Sequence, residues 1–275
     1  MSGTRRRADL RFHGRGPYSI AALHGGPGAA GEMRDVAETL SAAAGVLEPF
    51  QTAETIAGQI EELRAVLEEA AARPVVLIGF SWGAWLAFLY AGRHPRDVRK
   101  LILVSSAPFE DSYADGIDAV RRARLSDAEL REIDGWSGVL HNDAAAERDK
   151  VRALARIGAL LARADAYRLA PGTAASPIEA SFRIYSRVWT EAREMRRSRR
   201  LLALGREIVC PVTAIHGDHD PHPAEGVRAP LSQVVKDFRF VLLEKCGHRP
   251  WLEIEARAKF ADLLREEAVG PRKAV

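Results

Sequence analysis

Cysteine is scarce in this sequence of 275 residues, and the features of an exported protein are lacking. The two cysteines, Cys210 and Cys246, are too few for a disulfide framework, and they form no Cys-x-x-Cys pair. The basic first residues are followed by charged side chains, where a signal peptide needs a run of about seven or more apolar residues. We therefore expect a protein of the reducing cytoplasm.

Long hydrophobic runs and an excess of one charge sign are also missing. The longest apolar stretch runs from Trp82 to Gly92, well short of the roughly 20 residues that cross a bilayer. Lysine and arginine number 40 against 37 aspartates and glutamates, and this net charge of +3 is too small to indicate nucleic-acid binding. The sequence predicts neither a membrane nor a nucleic-acid partner. Its hydrophobic fraction of 47% is sufficient for a globular core.

Short apolar segments alternate with longer helical patterns through the first part of the chain. This alternation predicts an α/β fold with a mostly parallel sheet flanked by helices. The predicted strands span residues 18–23, 46–50, 75–78 and 100–104, and the predicted helices span 33–44, 55–72 and 82–91. The last of these helices is apolar nearly all round, which indicates that it packs deep against the sheet.

The strand pattern stops near residue 107 and resumes after residue 204. Between these points alanine, arginine, glutamate and leucine recur at helical spacing. Further strands are predicted at 208–215 and 238–243, a closing helix at 251–267, and linkers at 170–177 and 221–230. We expect a core domain formed by residues 1–106 and 205–275, with a helical cap domain, residues 107–204, inserted into it.

A nucleophilic serine is indicated by the sequence Gly79-Phe-Ser-Trp-Gly83, which lies between a predicted strand and a predicted helix. In that context G-x-S-x-G is typical of a serine held on a strained turn. Such a turn brings the residues two before and two after the serine together, and only glycines leave room there. Ser81 is therefore the candidate nucleophile.

The sequence His24-Gly-Gly-Pro-Gly28 stands at the preceding strand-to-helix junction. Its glycines can turn backbone N–H groups toward one point without obstruction by side chains. The negative charge of a tetrahedral intermediate needs such donors, and we assign them to the N–H of Trp82 and that of Gly25 or Gly26. His24 itself is expected to be a hydrogen-bonded structural imidazole.

A serine hydroxyl needs a base, and the base needs a group that orients it. His248 follows the last predicted strand, and Asp220 follows the strand before it. The chain order Ser81, Asp220, His248 is the order expected when the nucleophile lies on a strand-to-helix turn of this kind. We predict His248 as general base and then acid, with Asp220 holding its tautomer. Asp218 is the reserve candidate for the acid.

These motifs resemble the α/β-hydrolase family, and within it the proline iminopeptidase branch. The resemblance covers residues of about 15–105 and 208–268. It implies an α/β-hydrolase fold and an acyl-enzyme mechanism with Ser81, Asp220 and His248 as the triad. It also implies that the helical cap shapes the substrate site. Because little chain precedes His24, the N-terminal strands are expected to be reduced.

Aromatic residues of the predicted cap, Trp189, Phe109 and Trp136, are candidates for an apolar substrate-binding site. The predicted function is hydrolysis of a small ester or amide, without a metal or organic cofactor, on a small molecule or short peptide. An aminopeptidase releasing N-terminal proline is the first alternative, and it requires an acidic pair such as Glu191 and Glu194 beside the site. A ligand-binding protein without catalysis is the second. The oligomeric state is left open.

Residues 216–222, His-Gly-Asp-His-Asp-Pro-His, contain five potential metal ligands, so a hydrolytic metal site is a competing interpretation. We favour the triad, because a catalytic metal would leave Ser81 without a purpose. Cys246 lies two residues before His248, but it lacks a base of its own and is expected to pack as a small residue.

Overall fold

The computed structural model describes residues 5–6, 9–171 and 179–270. The predicted linker at 170–177 lies mostly outside them. The described strands are β1 (Arg5–Arg6), β2 (Leu10–His13), β3 (Tyr18–Leu23), β4 (Ala29–Ala30), β5 (Gly45–Pro49), β6 (Val75–Phe80), β7 (Val98–Val104), β8 (Glu179–Ala180), β9 (Val212–Gly217) and β10 (Phe238–Leu243). The described α-helices are α1 (Arg34–Ser41), α2 (Ile56–Ala70), α3 (Trp82–Arg93), α4 (Ile117–Ala123), α5 (Asp127–Leu140), α6 (Glu147–Ala164), α7 (Phe182–Arg197), α8 (Arg200–Ala203), α9 (Glu225–Val234) and α10 (Arg257–Val269).

Eight strands form one sheet in the order β1-β2-β5-β3-β6-β7-β9-β10. All neighbouring pairs from β5 to β10 are parallel, whereas β2 runs antiparallel to both β1 and β5. The predicted α/β-hydrolase fold, with a mostly parallel sheet flanked by helices, is therefore confirmed. The N-terminal strands are short: β2 has four residues, and β1 is described for two.

Two apolar clusters, one on each face of the sheet, form the core. Side chains of α2 and α3 pack in one cluster, and side chains of α1 and α10 pack in the other. Strand residues contribute alternately to the two, as in β3, where Ala21 and Leu23 join the first cluster and Ile20 and Ala22 the second. The sheet is thus buried on both faces, which explains its continuous hydrophobic strands.

Two of the predicted elements are wrong in extent. The strand predicted at 208–215 is β9, which starts only at Val212 after a 3₁₀ turn over Leu204–Glu207. The helix predicted at 251–267 is divided into a 3₁₀ turn, Pro250–Leu252, and α10. The division falls at Glu253, whose buried carboxylate accepts hydrogen bonds from three backbone N–H groups of other segments.

The predicted linker at 221–230 is wrong in its second half, where α9 begins at Glu225 and continues past Pro230. A proline inside a helix lacks the N–H that would bond to the carbonyl four residues earlier. Here that carbonyl belongs to Gly226, and it accepts a hydrogen bond from the backbone N–H of Phe109 at 3.0 Å. A neighbouring segment thus satisfies the group that Pro230 leaves free.

Between β7 and β9 the described chain is mainly helical, in five helices, α4–α8, which we call the inserted helices. Helices α5 and α6 pack against each other, and α7 also contacts α2 of the core. A small two-stranded pairing, β4 with β8, joins the inserted region to the loop after β3. Among the described residues, no helix combines the length and the apolar character needed to span a bilayer.

Candidate active site

Ser81 occupies a strained turn between β6 and α3. Its φ of 51° lies in the left-handed region, which a side chain other than glycine rarely adopts. A Cβ at Gly79 would lie 2.6 Å from the backbone nitrogen of Ala84, and a Cβ at Gly83 would collide with the carbonyl oxygen of Leu23. Gly79 therefore leaves room for the turn itself, and Gly83 leaves room for the end of β3 and the loop that follows it.

The loop after β3 lies directly against the start of α3. A Cβ at Gly83 would also meet the carbonyl oxygen of His24, which places His24 and Gly25 beside the turn. His24 is buried and donates from Nδ1 to the carbonyl of Gly25 at 2.8 Å, while its Nε2 accepts from the backbone N–H of Gln51 at 3.3 Å. Burial lowers the pKa of His24, so its ring is neutral. It stabilises this loop through its two hydrogen bonds.

Asp220 and His248 are brought together from the ends of β9 and β10, which are parallel neighbours. Their side chains are almost fully buried, and His248 Nδ1 lies 2.7 Å from Asp220 Oδ2. Burial alone would raise the pKa of Asp220, but the neighbouring His248, His222 and His216 hold it well below its usual range. The carboxylate is therefore ionised and in position to orient the imidazole.

His222 is a member of this cluster that sequence reasoning did not single out. Both its backbone N–H and its Nδ1 reach Asp220 Oδ1, at 2.9 and 2.8 Å. Its ring lies 4.6 Å from the ring of His248, with 30° between their planes. His216 donates from Nε2 to the carbonyl of His222 at 2.8 Å and lies 3.5 Å from Asp220 Oδ2. The sequence indicates a histidine-rich loop at residues 216–222, but the spacing of its three histidines does not predict which of them turn inward.

Burial lowers the pKa of both His216 and His222, although the charge of Asp220 opposes this effect. Both rings are therefore neutral near pH 7. Each hydrogen bond that they form at the cluster is then a donation from an N–H to an oxygen, and Asp220 carries the cluster's negative charge.

The remaining candidates from these two loops point elsewhere. Asp218 accepts the backbone N–H of Cys246 at 3.1 Å, and the ring of His219 packs edge-on against Tyr167. Burial raises the pKa of the Cys246 thiol, which therefore stays protonated. His248 hydrogen-bonds Asp220 rather than Asp218.

Phe80 links the nucleophile turn to the histidine loop. It precedes Ser81 directly, and its ring centroid lies 4.9 Å from that of His248 and 4.8 Å from that of Trp251. Within the described part of the chain no hydrogen bond joins the Ser81 hydroxyl to His248; such bonds are often long or misaligned before a substrate is bound. His248 therefore packs against the residue that directly precedes Ser81.

Two ion pairs surround this arrangement. Glu32, on the loop after β3, accepts two hydrogen bonds from Arg249, at 3.0 and 2.7 Å, and its other oxygen lies beside Gly25. Arg121 of α4 binds Asp165 in a bidentate pair at 2.7 and 2.6 Å, and the carbonyl of Asp165 accepts the backbone N–H of His248. The first pair joins two core loops, and the second joins the inserted helices to the histidine loop.

The predicted substrate-binding aromatics occupy three different environments. Trp189 of α7 packs 6.1 Å from Trp82, the residue after Ser81, and so lies near the turn. Phe109 is fully buried and packs against Phe88 and Trp85. Trp136 lies in α5, where Glu132 accepts its indole N–H and Arg152 covers its ring, and no described contact joins it to Ser81 or His248.

The acidic pair required by the aminopeptidase alternative lies at the surface. Glu191 is exposed and accepts the backbone N–H of Ile56 at the start of α2, at 2.9 Å. Glu194 is exposed and pairs with Arg197. A cavity of about 60 Å³ lies beside His248 and is lined mainly by apolar residues. Its charged lining residues are Glu253, Asp165, which pairs with Arg121, and Arg249, which pairs with Glu32.

Comparison with known proteins extends this picture. The model of the alpha/beta hydrolase family matches residues 7–263. A 2-hydroxymuconate semialdehyde hydrolase from Pseudomonas sp. (strain CF600) is 28% identical over 213 residues, which cover 74% of this chain and 65% of that protein. The match thus spans slightly less than two thirds of that relative's length.

Solved structures share the fold at low sequence identity. An alpha/beta fold family hydrolase from Bacillus anthracis str. Sterne superposes with a TM-score of 0.69 at 14% identity, covering 97% of this chain and 99% of that one. A proline iminopeptidase from Mycobacterium smegmatis gives a TM-score of 0.57 at 18% identity, covering 98% and 99%. With the family match over nearly the whole chain, the topology of the sheet and the turn at Ser81, the protein belongs to the alpha/beta hydrolase family.

Proposed function

We propose that the protein is a serine hydrolase that cleaves a small ester or amide through an acyl-enzyme. Ser81 is the nucleophile, His248 the general base and then acid, and Asp220 the group that orients His248. The oxyanion hole is formed by the backbone N–H of Trp82 with that of Gly25 or Gly26. The 2.7 Å hydrogen bond between buried Asp220 and His248 is the observation that carries this proposal.

The proposed reaction begins when Ser81 Oγ attacks the carbonyl carbon of the substrate and His248 Nε2 takes the hydroxyl proton. The Nδ1–H of His248 stays on its nitrogen and donates to Asp220, whose charge stabilises the imidazolium. Negative charge grows on the substrate oxygen, where the N–H of Trp82 at the first turn of α3 supplies one donor. His248 then gives its proton to the leaving group, and water repeats the sequence to release the acid.

The strained turn supports the assignment of Ser81. A non-glycine residue at φ 51° costs on the order of 1–3 kcal/mol, and such strain is concentrated at functional sites. Here the surrounding fold holds it through the Ser81 N–H, which donates to the carbonyl of Val104, and through the close approach permitted by Gly79 and Gly83. Strain maintained in this way keeps the hydroxyl displayed at the end of the sheet.

The choice of substrate class rests on the polar groups near His248. An aminopeptidase needs free carboxylates to hold an ammonium group, whereas Asp165 and Glu32 are each paired with an arginine. A neutral acyl substrate fits these surroundings better than a cationic one. The relative from Pseudomonas sp. is named for hydrolysis of a semialdehyde, a small molecule that is not a peptide.

The test is a panel of chromogenic substrates. We expect turnover of para-nitrophenyl esters of short carboxylic acids and no release of para-nitroaniline from a prolyl anilide. Turnover of the prolyl anilide alone would instead identify the aminopeptidase. A well-folded protein that cleaves nothing and is not labelled by a fluorophosphonate serine probe would support the binding role without catalysis.

Ser81→Ala supplies the control for that panel. Loss of the nucleophile should lower kcat by a factor on the order of 10⁶ and abolish labelling by the probe. The melting temperature should change little, because Ser81 makes no side-chain hydrogen bond within the described residues. Ester hydrolysis that survives this substitution would assign the chemistry to a different group.

A further inference from the structure

The cluster around Asp220 contains more imidazole than the proposed hydrolysis uses. Asp220 and His248 suffice for the triad, yet His222 is also turned inward against the same carboxylate. One potential ligand atom from each of Asp220, His222 and His248 lies within 4.8 Å of the other two, and all three residues are buried. Two imidazoles and one carboxylate form a donor set that first-row divalent metals bind.

The arrangement is close to the dimensions of a metal site. Zinc binds imidazole nitrogen at about 2.0–2.1 Å and carboxylate oxygen at about 2.0–2.2 Å, so two ligands of one tetrahedral ion are roughly 3.4 Å apart. The ligand atoms of the three residues lie within 4.8 Å of one another, so side-chain rotations must bring the most distant pair closer by up to about 1.4 Å. The nearly parallel rings of His222 and His248 present their nitrogens to the same carboxylate.

His222 is also held firmly in this orientation. Its backbone N–H donates to Asp220, and its carbonyl accepts from His216, whose side chain is almost wholly buried. These bonds fix the backbone of His222, and the contact of its Nδ1 with Asp220 fixes the direction of the ring. The chemistry of hydrolysis does not account for this support, because it needs no second ring beside His248.

We propose that Asp220, His222 and His248 form an inhibitory binding site for a divalent transition-metal ion, and that Zn²⁺ binds there. The ion takes one nitrogen from each imidazole and an oxygen from the carboxylate. Imidazole donors select zinc over magnesium or calcium, which prefer oxygen ligands. An ion on Nδ1 of His248, the nitrogen that faces Asp220, displaces its proton to Nε2, which can then no longer accept the Ser81 proton, so loading the site stops hydrolysis. This last consequence rests on the proposed function; binding itself does not.

Zinc binding is measured first, without any substrate, by competition with a chromogenic zinc chelator. We expect the wild-type protein to take up one Zn²⁺ per chain at high affinity and no Mg²⁺. His222→Asn keeps an amide donor near the position of Nδ1 but removes the imidazole ligand, so its affinity should fall at least about tenfold. His222→Gln serves as a second variant should the first fold poorly, and circular dichroism verifies the fold of each.

His219→Asn is the matched control. It removes a histidine three positions away that packs against Tyr167 rather than Asp220, so zinc affinity should stay at the wild-type value. Loss of binding in His219→Asn but not in His222→Asn would overturn the proposal, because the zinc would then occupy a surface site. Absence of tight binding to the wild-type protein would overturn it as well.

Ester hydrolysis gives the second readout. Stoichiometric Zn²⁺ should inhibit the wild-type protein and His219→Asn, and EDTA should restore both rates, whereas His222→Asn should need at least about ten times more zinc for the same inhibition. A protein that hydrolyses esters at a rate independent of bound zinc would refute the inhibitory role. A protein that binds zinc through His222 but cleaves no ester would retain the site and refute the proposed function alone.

Discussion

Helices α3 and α5 have similar lengths and opposite surroundings. Each of the residues from Trp82 to Gly92 in α3 is buried, whereas α5, with 14 residues, buries none. The first helix is held by packing on every side, and the second by a capping box at Ser126 and by exposed ion pairs such as Glu132 with Arg156. The geometry at Ser81 is therefore fixed by the core, whereas α5 depends on polar contacts and on its packing against α6.

Among the variants that keep Ser81, the largest expected effect tests whether one atom of Asp220 controls catalysis. Asp220→Asn should lower kcat by about 10⁴, because an amide no longer holds the required tautomer of His248 or stabilises its cation. Rates are measured on the best ester of the panel. Asp218→Asn is the matched control and should leave kcat nearly unchanged, since Asp218 bonds to the backbone of Cys246. The reverse result would transfer the role to Asp218.

The next effect compares one glycine from each region. Gly83→Ala should destabilise the protein by several kcal/mol, on the order of the largest single-residue losses, because the new Cβ would collide with backbone oxygens of the β3 loop. Gly135→Ala in α5 meets nothing within 4 Å and should stabilise its helix by up to about 1 kcal/mol. Denaturant unfolding measures both. Equal effects would contradict the contrast between the two helices.

Mild acid should lower the free energy of unfolding through three buried histidines, at pH values above those at which carboxylates titrate. His24, His216 and His222 have pKa values lowered by burial, so unfolding lets them bind protons as the pH falls below about 6.5. Stability should therefore decrease between pH 7.5 and 5.5, by at most about 1.4 kcal/mol for each histidine. The depressed pKa of Asp220 keeps its contribution intact over this range, to be lost only below the usual aspartate pKa.

Urea unfolding at the two pH values measures this loss. His24→Gln, which replaces one ring with a neutral amide, should reduce the pH dependence of stability. A stability independent of pH between these values would show that the buried rings bind protons as readily in the folded state as in the unfolded one.

The smallest effects distinguish the polar attachments of the inserted helices. Arg121→Met breaks a largely buried pair with Asp165 and should cost about 1–3 kcal/mol, with some loss of kcat because Asp165 also holds the backbone of His248. Arg156→Met breaks an exposed pair with Glu132 and should change neither stability nor rate measurably. A larger loss from Arg156→Met would mean that α5 and α6 depend on surface charge.

Much of the packed region could be predicted because its sequence pattern has a direct physical cause. Alternating apolar segments predicted the parallel sheet, and Gly79 and Gly83 predicted a tight turn at Ser81. The α9 helix was missed because Pro230 argues against a helix, and its compatibility depends on a bond from Phe109 that is distant in sequence. The burial of Phe109 was not foreseen for a related reason: the sequence gives no sign of which way an aromatic side chain faces.

The candidate active site also contains residues whose positions could be predicted from the sequence and residues whose positions could not. Strand order along the chain was enough to place Asp220 and His248 at adjacent strand ends. The inward rotation of His222 and the outward position of His219 depend on loop conformation, and nothing in the spacing of the five polar residues distinguishes them. Contacts between the inserted helices and the core, such as Arg121 with Asp165, join residues from different elements and leave no periodic pattern.

The pairing of Glu32 with Arg249 has a consequence for the history of this chain. A carboxylate beside Gly25 would oppose the charge that the proposed oxyanion hole must accept, and the arginine neutralises it from a loop 217 positions away. Losing the arginine alone would be harmful, whereas exchanging both residues together would be tolerated. Among homologues of this protein, positions 32 and 249 should therefore covary: where one of the two residues is replaced, the other should be replaced as well.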